Sequence, residues 1–278
     1  MIKTMKAETP PSQPETGEKL VGADRVLGIL LELANHPEGI ALDDLVRIVK
    51  SPKPTVHRAL SALRRAGLAA LDGPGHYALG DEFIRLAFAH HEARPSYLRV
   101  QPALQALAQR FSETAHFGVL DGQSIVYQAK VDPAVGAVKL TSTIGGRNPA
   151  HSTAIGKLLL SFTLTDREAV DKWIGGQPLA RLTPHTKTTT DELHKELELT
   201  RELGYGIDDQ ENELQINCVA IPIFLTSPSK PDGAISISAM AYRTPLGQLR
   251  EDIPEIKNML TANGLMLAQP PVTSPDSL

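Results

Sequence analysis

The sequence predicts an α+β chain in two domains, a small helical one closed by a β-hairpin and a larger one with a mostly antiparallel sheet. Three observations predict it. The chain has 278 residues, enough for two domains at roughly 100–200 residues each. Residues 20–80 read as three short helices followed by two short apolar runs about an Asp72-Gly73-Pro74-Gly75 turn. From residue 96 onward, strands and helices intermix without the regular alternation of a parallel sheet.

Residues 1–19, with Pro10, Pro11 and Pro14, have no apolar stretch. They read as a disordered tail rather than a signal peptide, and residues 271–278 read the same way. The single cysteine, Cys218, excludes an intramolecular disulfide and fits a reducing cytoplasm. No run of 18 apolar residues is present, so no membrane span and no membrane partner is expected. Net charge is −4, so any nucleic-acid surface must be local.

Val26, Leu27, Leu30, Leu31 and Leu33 recur at helical spacing until Pro37 and Gly39 stop them. Ile40, Leu42, Leu45, Val46 and Val49 supply a second, shorter helix, with Asp43 and Asp44 in its first turn. After the Ser51-Pro52-Lys53-Pro54 turn, Val56, Leu60 and Leu63 form the buried stripe of a third helix over about 54–66. Three helices and a hairpin are the plan of a winged helix-turn-helix. The stretch 47–65 carries Arg47, Lys50, Lys53, Arg58, Arg64 and Arg65 and no acidic residue, a basic surface suited to phosphate neutralisation. Lys53, Thr55, His57 and Arg58 open the third helix, where side chains reach base edges. A solvated basic helix in a plain bundle is the competing reading, and the hairpin argues against it.

Several segments resemble the IclR (isocitrate lyase regulator) family of transcriptional regulators. They are Asp24–Leu30, Pro54-Thr55-Val56-His57-Arg58-Ala59-Leu60, His151-Ser152-Thr153-Ala154-Ile155-Gly156-Lys157, Leu203–Glu211, Cys218–Ile223 and Ala234–Ser238, in the family's order. Gln210 and Asn212 stand where acidic residues are common in the family, and Ala239-Met240 where Gly-Pro is. The resemblance implies a DNA-binding set of Arg25, Lys53, Thr55, His57, Arg58, Ser61, Arg64 and Arg65, acting on a double-stranded operator. It also implies a GAF-like effector-binding domain over 96–270, and a homodimer that pairs into a dimer of dimers.

Between the domains, residues 81–95 read as a linker helix. Its Phe83, Ile84, Leu86, Ala87 and Phe88 are too many apolar faces for one stripe, so burial between elements and on a partner subunit is expected. Beyond it, helices are expected at about 97–111, 150–162, 165–174, 190–203 and 246–268, and strands at 125–131, 218–225 and 234–239.

Ser236 and Ser238 lie two apart on a strand and so face one side, either a pocket or solvent. His151–Gly156 opens a helix after a Gly-rich loop, and the free N–H groups of a helix start bind anions. By motif, the resemblance implies effector contacts from the main chain of Ala154 and Ile155 and from the side chains of Asp208, Cys218, Ser236 and Ser238. Ala137 and Asn148 complete the apolar side. A small carboxylate fits this set. Cys218 reads equally as pocket and as core, and His151 as a capping or packing histidine.

Catalytic readings find little. Gly156-Lys157 lacks the rest of a phosphate loop, Cys218 has no base beside it, and the histidines show no metal spacing. No catalytic residue, metal or cofactor is expected. A GAF-like enzyme fused to a DNA-binding module, or a DNA binder without a ligand, remain open at this point.

Overall fold

The computed structural model describes residues 22–133 and 140–267, so both expected tails and Ala137 lie outside it. The chain divides into two compact units at Arg94/Pro95.

In the first unit, helices α1 (Gly22–Ala34), α2 (Leu42–Ile48) and α3 (Lys53–Arg65) precede a wing of strands β2 (Ala69–Leu71) and β3 (His76–Leu79). One strand was unexpected. Ile40–Ala41 forms β1 and pairs with β3, giving the sheet order β1-β3-β2. Ile40 therefore belongs to the sheet and not to the second helix. A β-branched residue just after the positive-φ Gly39 favours the extended backbone. Ile29, Leu33, Leu45, Val56, Leu60, Leu63 and Tyr77 form the core, each large apolar side chain contributing about 1.5–3 kcal/mol on burial.

The linker helix α4 (Asp81–Glu92) departs from expectation, because none of its residues is buried within the chain. Phe83, Ile84, Leu86 and Phe88 stand 38% to 60% exposed. Within the first unit it packs chiefly on β2, which leaves these apolar side chains exposed.

The second unit is an antiparallel sheet between two helical layers. Helix α5 (Pro95–Phe111) leads into β4 (Thr114–Asp121), β5 (Ser124–Val131) and β6 (Arg147–Pro149). A 3-10 turn (Ala150–Ser152) and helices α6 (Ala154–Ser161), α7 (Arg167–Ile174) and α8 (Thr190–Leu203) follow. The chain then runs through β7 (Gly206–Asp209), β8 (Ile216–Ile223), β9 (Gly233–Met240), α9 (Leu246–Glu251) and α10 (Ile253–Ala262). The strand order is β6-β5-β4-β9-β8-β7, so the central pair β4 and β9 comes from distant parts of the unit. The expected final helix over 246–268 is broken. Pro254 in the first turn of α10 separates it from α9, and beyond Ala262 Met266 bridges to Phe224 instead.

Strand alternation sorts the side chains. Phe117, Val219, Ile221, Ile235 and Ile237 face α5, α9 and α10. The other face meets α6–α8 through Ile125, Ile155, Leu158, Ala220 and Ala234. On that second face, His116, Cys218, Ser236 and Ser238 take the places next to the apolar ones.

Candidate effector pocket and nucleic-acid interface

The polar end of that face is hollow. A cavity of about 220 Å³ is walled by β4, β5, β7, β8 and β9, by the start of α6, and by the segment 140–148. Of the sequence-predicted set, Asn148, Ala154, Ile155, Asp208, Cys218, Ser236 and Ser238 line it together.

Two glycines make the geometry possible. A Cβ on Gly156 would sit 2.1 Å from the Ala150 carbonyl oxygen, and one on Gly206 2.2 Å from that of Ala154. Only glycine lets the 3-10 turn and β7 close on the start of α6. There the Thr153 hydroxyl accepts the Gly156 N–H at 3.0 Å. The amides of Ala154 and Ile155 precede the first intrahelical acceptors, as in any helix start.

Asp208 is buried, and its Oδ1 accepts the N–H of Glu211 at 2.7 Å and of Asn212 at 3.3 Å. Burial pushes its carboxyl up to about 7, with Lys157 pulling the other way. The Lys157 side chain is wholly buried against Glu196 at 2.8 Å and against Glu211. Burial opposes its charge, but the two carboxylates more than offset that and raise it. The lysine of the His151–Lys157 segment is thus a structural ion-pair centre behind the pocket. His151 also packs: its Nε2 lies 2.9 Å from the Ala180 carbonyl. Cys218 both lines the cavity and packs on the α6–α8 core. Burial keeps its thiol well above the usual range, so it is no nucleophile at neutral pH.

Sequence reasoning missed much of the wall. His116, Tyr127, Ser142, Arg147 and Asn212 also line the cavity. The rings of His116 and Tyr127 are 4.6 Å apart, and Asn148 Nδ2 donates to the Tyr127 hydroxyl at 3.3 Å. The alternation of Thr114, His116 and Gly118 against Ala115 and Phe117 was the available signal for β4. The lining is largely polar, with Leu140, Ile155 and Ile216 its larger apolar residues. Among the described residues no group of His, Cys, Asp or Glu could hold a metal ion.

In the first unit, α3 turns Val56, Ala59, Leu60 and Leu63 inward. Lys53, His57, Arg58, Arg64 and Arg65 are exposed, and Thr55 and Ser61 are half-buried. The run free of acid in sequence is not free of acid in space. Asp43 pairs with Lys53 at 2.6 Å and Asp44 with Arg47. Arg58, Arg64 and Arg65 form no ion pair among the described residues, so the unneutralised charge lies along α3. Arg25 Nε donates to the Ser51 hydroxyl at 2.9 Å, tying α1 to the turn before α3.

A three-helix unit with a wing, followed by a sheet unit with a partly open polar cavity, defines a winged helix-turn-helix transcriptional regulator. Residues 22–73 match the IclR helix-turn-helix domain and residues 97–264 the bacterial transcriptional regulator IclR C-terminal domain. The chain belongs to the IclR family and is a DNA-binding transcriptional regulator. It is 36% identical over 201 residues to the HTH-type transcriptional regulator KdgR of Dickeya chrysanthemi, covering 72% of this chain and 65% of KdgR. The IclR structure from Thermotoga maritima superposes with a TM-score of 0.70 at 25% identity, covering 87% of this chain and 94% of that one. An IclR homologue from Microbacterium hydrocarbonoxydans, crystallised with 4-hydroxybenzoate, shares the fold at 22% identity (TM-score 0.67, 86% of this chain and 98% of that one). Among the described residues no helix is long and apolar enough to cross a membrane.

Proposed function

We propose that operator binding by this regulator is modulated by a small organic acid bearing a hydroxyl or keto group, and that it controls a catabolic operon. The observation that carries this is the cavity itself, which joins a helix start to a carboxyl, Asp208, that keeps its proton up to about pH 7. A ligand carboxylate is suited to the amides of Ala154 and Ile155, to the Ser236 hydroxyl and to Arg147 at the rim. Asp208 beside an anion would repel it if ionised. Protonated, it donates a hydrogen bond to a ligand oxygen instead. The Lys53–Arg65 helix, with Thr55, His57, Arg58, Ser61, Arg64 and Arg65, takes the major groove, while Arg25 supports it. Residues 20–80 serve as the DNA-binding domain, 81–95 as the linker and 96–270 as the sensor, and the exposed apolar face of α4 pairs two subunits.

The test is calorimetric titration of keto acids, hydroxy acids and hydroxybenzoates against wild type, Ser236→Ala and Asp208→Asn. An anion should bind wild type tightest, and its affinity should fall about tenfold per pH unit above 7 in wild type but not in Asp208→Asn. A cation as tightest ligand, or unchanged affinity in Ser236→Ala, sinks this reading of the pocket.

A further inference from the structure

His116 is the most deeply buried titratable group of the cavity wall outside the expected set. It sits on β4 opposite Ser236, with Lys130 opposite it on β5. Its Nε2 lies 2.8 Å from the hydroxyl of Ser142, and its Nδ1 lies 3.4 Å from that of Ser238. Cys218 in turn donates its S–H to the Ser238 oxygen at 3.2 Å. These groups form one row across β8, β9 and β4 that ends on the segment roofing the cavity. Lys130 holds that same segment through the carbonyls of Leu140 at 2.8 Å and Ser142 at 2.7 Å.

The row admits two proton arrangements, and counting partners chooses between them. If Nδ1 carried the proton, Ser238 would accept from both Cys218 and His116, and its own proton would be left only the cavity or the weakly accepting Cys218 sulfur. With the proton on Nε2, every buried group is satisfied. Cys218 donates to Ser238, Ser238 donates to Nδ1, and Nε2 donates to Ser142, whose own proton faces the partly open rim. Burial and the neighbouring Lys130 hold the ring neutral, down to about 3.

We propose that His116 is the positioning residue of this pocket, accepting the Ser238 proton on Nδ1 and donating from Nε2 to Ser142, and so pinning the 140–143 roof to the sheet. The two serines predicted as equivalent then differ. Ser238 spends its proton inside the wall. Ser236 is buried and lines the cavity, and its hydroxyl has no hydrogen-bond partner among the described residues, which leaves it to face the ligand. The proposal rests on reading the cavity as the effector site, but its test needs no effector.

The experiment is nitrogen-15 NMR of histidine-labelled full-length protein without added ligand, with hydrogen exchange of the 140–146 segment as the second readout. His116 should show an unprotonated Nδ1 and a protonated Nε2, unchanged between pH 5 and pH 8. Exchange of the roof should rise about tenfold in His116→Asn, which keeps a polar group only near Nδ1. His116→Gln, which restores a donor near Nε2, should recover the protection. The opposite tautomer, an imidazolium in that pH range, or equal roof exchange in wild type and His116→Asn overturns the proposal. Should His116→Asn fail to fold, the wild-type tautomer alone decides. A protein with the expected tautomer that binds no organic acid would instead overturn the effector reading and leave this one standing.

Discussion

Asp208 and Lys157 show how much of the site's chemistry comes from depth rather than residue type. For Asp208 the sign of the pH effect is fixed by the direction of its shift. Its carboxyl titrates near 7 when folded and near 3.8 when the unfolded chain exposes it to water. Below about 4 both states hold the proton, and above about 7 neither does. Between those values only the folded state holds it, so stability falls as pH rises. Asp208→Asn should remove that slope, worth at most on the order of 4 kcal/mol, while keeping an oxygen for the Glu211 and Asn212 amides. Urea titrations at pH 5 and pH 8 check this, and equal pH slopes for the two proteins would refute it. Lys157→Ala leaves Glu211, itself buried, with only the more distant Lys187, at 3.8 Å, as a counter-charge. A loss of about 3–5 kcal/mol is expected, read as a lowered urea midpoint. Asp208 was named from the sequence as an effector contact, but the ion pairs of Lys157 behind it were not legible there. Asp208 and Lys157 stand 51 positions apart, and only the folding of β7 against α6 brings the pair Glu211–Lys157 behind the carboxyl.

At the scale of elements, the DNA-reading helix was the most legible part of the chain, because the Val56, Leu60, Leu63 stripe leaves one orientation for α3. Arg58 is exposed on it and free of ion pairs, so Arg58→Ala should weaken specific operator binding by about 1–3 kcal/mol. Effector binding should be untouched, and a gel-shift titration at fixed salt beside calorimetry separates the two. Lys53, already paired with Asp43, should matter less. Strand β4 was the least legible element. Its Gly118 and the bulge opposite β5 interrupt the period-2 pattern, and with β4 unseen, His116 went unseen too. Strands β6 and β7, at three and four residues, are too short to show a period.

At the scale of the molecule, α4 read as buried because its apolar residues exceed one stripe, yet one chain leaves it bare. Such an exposed apolar patch marks an interaction surface, the one proposed above to pair two subunits. Phe88, 60% exposed, contributes nothing to the core of a single chain. Phe88→Glu should therefore leave the monomer folded and shift the protein to half its mass in light scattering. An unchanged mass would place the subunit contact elsewhere.

The order of strands also has a consequence for synthesis. His116 on β4 pairs with Ser236 on β9, 120 residues later, whereas the core of the first unit runs only from Ile29 to Tyr77. On the ribosome, the helix-turn-helix unit has all its packing partners before the strands that wall the cavity have been made. A transcript cut short before β9 would thus yield a polypeptide that carries the helix-turn-helix without the proposed effector site.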